Sequence, residues 1–297
     1  MNILITGATG LLGVNLAMRL AEKHNIFAVD RDNSRAGMLT HPNIQLLNID
    51  LFNVDPVVFP ENIDAVYYLA QSKKFRDFPG GSMDMFAINV HAPLKIIHWA
   101  VEHKVKNFFY TSTGGVYKNP TEPVKEFFDI NANEKNGFYI GSKLTAEILL
   151  KNYSHFFEKF AILRPFFIYG PQQDYSMLIP RLIQRVWNGE TIFLDKEEGL
   201  KVNPIFVTDA AVAFEKLLNV DGEHLFNIAG KEIFSLMQVC NVIGNTLGKT
   251  PVFSINEQQA SDLIADTTLM HKMLHLPEIG LEEGIRLTAN SMGYALP

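Results

Sequence analysis

The sequence predicts an α/β fold, a doubly wound parallel sheet with a smaller substrate lobe that is interleaved with it toward the C-terminus. Short apolar runs alternate with helical stretches over the first part of the chain, which is typical of a parallel sheet with helices on both faces. The runs are apolar almost throughout, as strands buried on both faces require. The length of 297 residues exceeds one ordinary core and falls short of two full domains.

Six strands are predicted first, each from a short apolar run. They cover residues 2–6, 26–30, 44–49, 64–69, 107–112 and 160–168. Helical periodicity is found between them at 11–22, 82–103 and 138–157. Beyond residue 170 the sequence predicts strands at 204–207 and 224–228 and helices at 209–218, 235–247 and 281–292. We expect one domain from 1–169 with about 202–228, and a second lobe from about 170–201 with 229–297.

Composition excludes several classes of protein. Hydrophobic residues make up 47% and charged residues 20%, which excludes a disordered chain. The chain has 26 Lys and Arg residues against 32 Asp and Glu. It therefore lacks the excess of basic residues that is typical of nucleic-acid binding, and no nucleic-acid partner is expected. The single cysteine, Cys240, excludes Cys-clustered metal sites, and no metal is expected. No apolar run reaches the ~18 residues of a membrane span. The N-terminal segment has no basic flank, so a signal peptide is not expected. We expect a cytoplasmic protein with no membrane partner.

A glycine-rich loop, TGATGLLG at residues 6–13, follows the first strand and opens the first helix. Gly7 allows a sharp turn, Gly10 lets the backbone approach a pyrophosphate, and Gly13 lets the helix pack on the sheet. The start of the helix, with Thr9, Leu11 and Leu12 around it, offers free N–H groups to phosphate. This context predicts a Rossmann-type dinucleotide site. The alternative is a tight strand–helix turn with no ligand.

Carboxylates after the second and third strands bear on the choice of cofactor. Asp30 ends the second strand, where a carboxylate accepts hydrogen bonds from an adenosine ribose and repels a 2′-phosphate. That favours NAD over NADP, although the adjacent Arg31 could hold a 2′-phosphate. Asp50, with Leu51 after it, could approach the adenine amino group or be an exposed turn residue.

Tyr139 and Lys143 are four residues apart at the start of a predicted helix, so both lie on one face. A cation beside a phenol favours phenolate and lowers the tyrosine pKa. The pair then predicts an acid/base that moves a proton on a sugar or alcohol hydroxyl. Thr113, just past the fifth strand, could donate a hydrogen bond to the substrate oxygen.

Together these residues resemble the extended short-chain dehydrogenase/reductase superfamily, and within it the NAD-dependent epimerase/dehydratase group that acts on nucleotide sugars. Further landmarks fit this resemblance: Asn89-Val90, LRP at 163–165, YGP at 169–171, VTDAA at 207–211 and NIAG at 227–230.

The resemblance implies roles for individual residues. Thr113 would be the hydroxyl of the catalytic triad, Tyr139 the base, and Lys143 the residue that holds the nicotinamide ribose. The implied chemistry is hydride transfer from a sugar carbon to NAD, which gives a keto intermediate. Other residues expected to bind NAD are Leu69, Ala70, Gln71, Asn89 and Pro165. Those expected to bind substrate are Gln71, Lys73, Thr113, Gly114, Phe167 and Lys201.

Several positions depart from the family pattern. Dehydratases of the group carry an Asp-Glu pair where this chain has Gly114-Gly115, so loss of water is not expected. The usual diphosphate-binding Asn aligns with Phe167 and an Arg with Val202, beside which Lys201 could supply the charge. A second Arg, expected shortly before Asp262, is missing. The basic segment at 73–76 could compensate, or be a solvated loop.

Three functions follow from these observations. The leading prediction is a nucleotide-sugar 4-epimerase. The first alternative is a one-way oxidoreductase, either a reductase of nucleotide keto-sugars or a dehydrogenase of a free sugar or uronic acid. The second is a non-catalytic NAD(H)-binding regulatory protein. The resemblance also implies a homodimer formed by the apolar faces of helices 82–103 and 138–157, which carry Ile96, Ile97, Trp99, Ile148, Leu149 and Phe156.

Overall fold

The computed structural model describes residues 1–31, 33–117, 122–130, 135, 137–256 and 262–295. Within these ranges the strands are β1 (Asn2–Thr6), β2 (Asn25–Asp30), β3 (Ile44–Asn48), β4 (Ala65–Tyr68), β5 (Asn107–Thr111), β6 (Lys159–Pro165), β7 (Ile168–Tyr169), β8 (Thr191–Asp195), β9 (Lys201–Val202), β10 (Ile205–Phe206), β11 (Gly222–Ile228), β12 (Phe234–Ser235) and β13 (Val252–Asn256). The α-helices are α1 (Leu11–Ala21), α2 (Ser82–Phe86), α3 (Ala92–Glu102), α4 (Phe138–Lys151), α5 (Leu178–Asn188), α6 (Val207–Lys216), α7 (Leu236–Leu247), α8 (Thr268–Met273) and α9 (Leu281–Ser291).

Seven strands form one sheet in the order β11-β6-β5-β4-β1-β2-β3. The pairs from β6 to β3 are all parallel, and Thr6 is in register with Val29 on one side and Tyr68 on the other. The strand order reverses between β1 and β4, and in open α/β sheets ligands bind beyond the carboxyl ends of the strands at such a point. The predicted doubly wound α/β fold is confirmed.

The apolar runs of the sequence become the centre of the sheet. All four residues of β4 and the last four of β1 are buried. Helix α1 buries Leu16, Ala17 and Leu20, which recur at helical spacing. Helix α7 begins as the sequence predicts, because Ser235 caps it and Gln238 completes a capping box.

Some helices and strands are shorter than the sequence predicts. The strand predicted at 160–168 is broken, since β6 ends at Pro165 and β7 starts at Ile168. Phe167 between them has φ of 45°, a left-handed conformation that a strand cannot contain. The helix predicted at 82–103 is interrupted by a π-helical turn, Ala87–His91, and α4 ends at Lys151 rather than 157.

Other elements were missed, namely β8, β9, β12, β13, α5 and α8. Strands β8 and β13 pair in parallel although 56 residues lie between Asp195 and Val252. A parallel pair cannot be joined by a tight hairpin turn, so this pairing is long-range. Local periodicity does not reveal such a partner.

The chain divides into two compact units. The first comprises Met1–Val116, Ile130–Arg164 and Ala211–Phe226, and the second Tyr117–Asp129, Pro165–Ala210 and Asn227–Pro297. The ligand-binding roles assigned to the two lobes from the sequence stay predictions. No helix in the described part of the chain is long and apolar enough to span a bilayer.

Candidate active site

The glycine-rich loop connects the carboxyl end of β1 to α1. Gly7 has φ of 67°, and a Cβ there would lie 2.9 Å from the backbone N and Cα of Ala70. A Cβ on Gly13 would lie 2.2 Å from the carbonyl oxygen of Gly7, so the helix packs directly on the loop. Gly10 is the N-cap of α1 and has no side chain to cover the first N–H groups of the helix. The loop therefore leaves an anion-binding helix end at the carboxyl edge of the sheet.

The carboxylate of Asp30 lies beside this loop, where it accepts a hydrogen bond from the Thr9 hydroxyl. Thr9 is buried, Asp30 is half-buried, and Arg31 is exposed. Leu11 and Leu12, at the start of α1, are half-buried. This arrangement fits the predicted dinucleotide site, and the contact of Asp30 with a ribose stays a prediction.

Asp50 has a local structural role. Its carboxylate accepts the N–H of Phe52 at 3.0 Å and caps the 3₁₀ turn Leu51–Asn53. Leu51 itself is buried in the core beneath the sheet. This capping bond is the role expected of Asp50 as a turn residue. The predicted contact of Asp50 with adenine stays a prediction.

The chain beyond β4 runs alongside the glycine-rich loop. The N–H of Leu69 donates to the carbonyl oxygen of Thr6 at 3.2 Å, and that of Ala70 donates to the Thr6 hydroxyl at 3.3 Å. Gln71 follows with an exposed side chain. Leu69, Ala70 and Gln71, all expected near the cofactor, thus lie at the β1–β4 switch point.

Asn89, in the π-helical turn, is fully buried and bridges this segment to α4. Its Oδ1 accepts the N–H of Ser72 at 3.1 Å, and its Nδ2 donates to Ser142 Oγ at 3.0 Å. Ser142 Oγ in turn donates to the carbonyl oxygen of Tyr139 at 2.7 Å. The Asn89 carboxamide therefore holds the segment at Ser72 and helix α4 in place. Direct contact of Asn89 with NAD stays a prediction.

Tyr139, Thr113 and Gln71 come together in the first unit. The Tyr139 hydroxyl donates to Gln71 Oε1 at 2.9 Å. Thr113 also hydrogen-bonds the Tyr139 side chain, and Thr113 Oγ1 accepts the N–H of Gly115 at 3.1 Å. Burial raises the pKa of Tyr139 to about 12, and the bond to Thr113 opposes that rise. Tyr139 in this structure is a neutral phenol at physiological pH.

Lys143, four residues after Tyr139 in α4, is 1% exposed. Its Nζ donates to the carbonyl oxygen of Thr111 at 2.9 Å and lies 5.2 Å from the centre of the Tyr110 ring. Burial lowers the pKa of Lys143 to about 7, and the nearby carboxylate of Glu147 opposes this shift. The expectation that Lys143 lowers the tyrosine pKa is wrong for this structure, since burial penalises the charge of both groups.

Two hydroxyl groups at the end of β5 are buried without a partner among the described residues, those of Thr111 and Ser112. Buried hydroxyl groups are ordinarily hydrogen-bonded, so unpartnered ones mark a place where a ligand or water can bind. They immediately precede Thr113. Together with the glycine-rich loop, this fits a polar ligand such as a dinucleotide at this edge.

The sequence analysis missed a buried ion pair below Lys143. Glu147 and Arg164 are 2% and 3% exposed, and Arg164 Nε donates to Glu147 Oε1 at 3.0 Å. Glu147 lies four residues, or one helical turn, after Lys143. From this spacing a carboxylate near Lys143 could have been predicted. The pair joins α4 to β6.

The other residues expected to bind NAD or substrate have these positions. In the first unit Lys73 is exposed and Gly114 is buried. In the second unit Pro165 and Phe167 are half-buried, and Lys201 is an exposed residue of β9 whose N–H donates to Asp262 Oδ1 at 2.8 Å. Their roles stay predictions.

Comparison with known proteins decides the family. Residues 3–229 match the model of the NAD dependent epimerase/dehydratase family. The chain belongs to this family. It is therefore an enzyme of an NAD-dependent family, as the resemblance of its motifs predicted. The glycine-rich loop, the Asp30 carboxylate and the unpartnered hydroxyls are the features that fit the cofactor.

Three similar proteins match this enzyme over nearly the full length of both chains. It is 26% identical over 317 residues to the uncharacterized UDP-glucose epimerase YtcB of Bacillus subtilis (strain 168), covering 99% of this chain and 98% of that protein. UDP-glucuronic acid 4-epimerase from Bacillus cereus, solved with UDP-glucuronic acid and NAD, is 22% identical with a TM-score of 0.86, covering 99% of each chain. UDP-N-acetylglucosamine 4-epimerase from Methanobrevibacter ruminantium M1 is 21% identical with a TM-score of 0.87, covering 98% of this chain and 97% of that one. The two structural likenesses show the fold.

Proposed function

We propose that this enzyme is a nucleotide-sugar 4-epimerase that acts through a keto intermediate. The observation that carries the proposal is the hydrogen-bonded Thr113–Tyr139 pair at the end of β5, followed at once by Gly114 and Gly115. The pair supplies proton transfer and oxygen binding. Two glycines supply no acid or base for the loss of water. The family includes dehydratases, and these glycines favour the epimerase.

In the proposed mechanism Tyr139 first releases its own proton to solvent, and the phenolate then takes the proton of the sugar 4-hydroxyl as the C4–H bond breaks and later returns it to the same oxygen. Thr113 donates a hydrogen bond to that oxygen, where negative charge develops. Lys143 would hold the nicotinamide ribose. NAD, when bound, would accept the hydride from C4 and return it to the opposite face of the 4-keto sugar.

Two positions favour a second candidate, a dehydrogenase of a free sugar or uronic acid. Where relatives place a diphosphate-binding Asn, this enzyme has Phe167 in a left-handed backbone conformation. Where they place an Arg, it has Val202, which is fully buried. Neither side chain can bind a diphosphate. A substrate without a nucleotide needs no such contact.

Absorbance of reduced nicotinamide separates the two candidates. The enzyme is incubated with NAD and, in separate reactions, UDP-glucose, UDP-glucuronic acid and free glucuronic acid. The 4-epimerase forms the C4 epimer of a UDP-sugar without net reduction of NAD. Sustained reduction of NAD by the free acid, with no epimer from either UDP-sugar, would replace the proposal with the dehydrogenase.

Tyr139→Phe tests the assigned acid/base. It removes the transferable proton and keeps the ring, so we expect turnover to fall by roughly 10²–10⁴-fold while NAD affinity is retained. Tyr153→Phe, at a half-buried tyrosine near the end of α4, is the matched control and should retain turnover. Near-normal turnover by Tyr139→Phe would exclude the assignment.

The proposal extends to assembly and location. We infer a homodimer through the outer face of α4, supported by Ile148 and Leu149, which are exposed, and by the exposed Phe156 after that helix. Ile96, Ile97 and Trp99 of α3 are instead buried in the core and would not take part. A cytoplasmic location is also proposed, supported by the single buried cysteine. Cell fractionation with an antibody would test it.

A further inference from the structure

The Tyr139 hydroxyl carries one hydrogen and has two partners. Gln71 Oε1 can only accept, so the hydrogen of the Tyr139 hydroxyl points to Gln71. Because the hydrogen of Tyr139 points to Gln71, the Thr113 hydroxyl must be the donor in its bond to the tyrosine oxygen. Thr113 Oγ1 in turn accepts the N–H of Gly115. The hydrogen bonds therefore run in one direction, from Gly115 through Thr113 and Tyr139 to Gln71.

The backbone on both sides of Gln71 is held in place. Ala70 N–H donates to the Thr6 hydroxyl. Ser72 is 1% exposed, its N–H donates to Asn89 Oδ1, and its hydroxyl donates to Asp84. Gln71 thus projects from an anchored segment although its own side chain is exposed.

The same network holds the tyrosine. Asn89 binds Ser72 through one end of its carboxamide and Ser142 through the other, and Ser142 bonds the carbonyl oxygen of Tyr139. The distance between the Gln71 and Tyr139 backbones is therefore set by buried side chains. In addition, the Phe75 ring packs 5.5 Å from the Tyr139 ring, centre to centre. The backbones of both residues that form the Gln71–Tyr139 bond are therefore held in place.

We propose that Gln71 is a positioning residue that holds the Tyr139 hydroxyl as a hydrogen-bond donor until the substrate hydroxyl takes its place. The role in turnover rests on the proposed function, whereas the effect on the tyrosine does not. An acceptor at this position stabilises the neutral phenol, so Gln71 delays formation of phenolate in the absence of substrate. Displacement of its carboxamide then couples substrate binding to activation of the base.

Charged groups on surrounding elements do not provide this control. Those on the segments packed around the tyrosine are Lys73, Arg76, Asp84, Tyr110, Lys143 and Glu147. Burial and the bond to Thr113 account for the pKa of Tyr139. A change at Gln71 therefore acts on a phenol whose pKa is set by burial and by the Thr113 hydroxyl.

The test measures ionisation at position 139 directly. Difluorotyrosine, whose phenol ionises at lower pH than tyrosine, is incorporated there and titrated by ¹⁹F NMR without substrate. With Gln71→Glu the midpoint should rise by about one pH unit, since a carboxylate beside the phenol opposes its ionisation and water screens the exposed pair. With Gln71→Leu it should fall by about half a unit, because the neutral phenol loses its acceptor. Gln45→Glu, the same change on exposed β3, should leave it unchanged.

Midpoints of both Gln71 variants equal to that of the parent protein would overturn the proposal. The dependence of kcat/KM on pH, measured with UDP-glucose and UDP-glucuronic acid for the variants with natural tyrosine, should move in the same directions. If the NMR midpoints move and the rate profiles do not, the positioning of Tyr139 stands and its proposed role as the base fails. A fall in kcat/KM at every pH by the same factor, with fixed NMR midpoints, would make Gln71 only a substrate contact.

Discussion

At the scale of single residues, the burial of Lys143 makes the stability of the protein depend on pH. Lys143 is a fully buried amine that donates a hydrogen bond to a backbone carbonyl, and burial lowers its pKa to about 7 from 10.5. Below pH 7 it is charged in both the folded and the unfolded protein, and the folded protein bears the full cost of burying that charge. Between the two values the unfolded chain binds more protons, so the free energy of unfolding rises with pH.

Lys143→Met tests this linkage. Replacement removes the titrating group and keeps an unbranched apolar chain in the same space. We expect the variant to be more stable relative to the parent near pH 6 than near pH 9. That advantage should shrink by at most about 1.4 kcal/mol per pH unit above pH 7. Urea denaturation of both proteins across this range measures it, and parallel curves would contradict the lowered pKa.

The glycines illustrate the scale of the element. Gly13 and Gly141 both lie in helices, but only Gly13 is in contact with another backbone. Gly13→Ala should therefore push α1 away from the loop and lower the free energy of unfolding by about 1–3 kcal/mol. NAD should also bind more weakly. At Gly141 nothing lies within 4 Å of an added Cβ, so Gly141→Ala should stabilise α4 by up to about 1 kcal/mol.

Urea denaturation and titration with NAD follow both glycine variants. Equal stability of the two proteins would show that α1 can shift without cost and would exclude close packing as the reason for Gly13.

The Glu147–Arg164 pair connects two elements, α4 and β6. Because both charges are buried, removing one leaves the other without compensation. Glu147→Gln is expected to cost about 3–5 kcal/mol of stability. Replacing both, as Glu147→Leu with Arg164→Met, should recover most of this loss. A double-mutant cycle from urea denaturation gives the coupling, and additive effects of the two changes would show that the pair contributes no interaction of its own.

At the scale of the whole molecule, exposed apolar side chains on α4 support the proposed dimer. Ile148→Glu places a charge in the centre of this face. Sedimentation velocity should then show a monomer, while Gln45→Glu, which adds the same charge at the sheet edge, should sediment as the parent protein does. A monomeric parent protein would refute the homodimer.

Much of this architecture could be predicted from the sequence because its signals are local. Burial on both faces makes each central strand a continuous apolar run, and the glycine spacing of the phosphate loop lies within seven residues. The three proposed catalytic residues were found in the same way, since Tyr139 and Lys143 are one helical turn apart and Thr113 follows a strand. Such features need no partner elsewhere in the chain.

Tertiary structure alone decided the features that depend on distant residues. The bond between Gln71 and Tyr139, the Asn89 bridge and the Glu147–Arg164 pair each join segments between 17 and 68 residues apart. The pKa of Tyr139 is raised rather than lowered as its spacing from Lys143 predicted, because burial outweighs the hydrogen bond from Thr113. Burial likewise lowers the pKa of Lys143 despite the nearby carboxylate of Glu147. Burial is a property of the packed chain, and no pattern of neighbouring residues determines it.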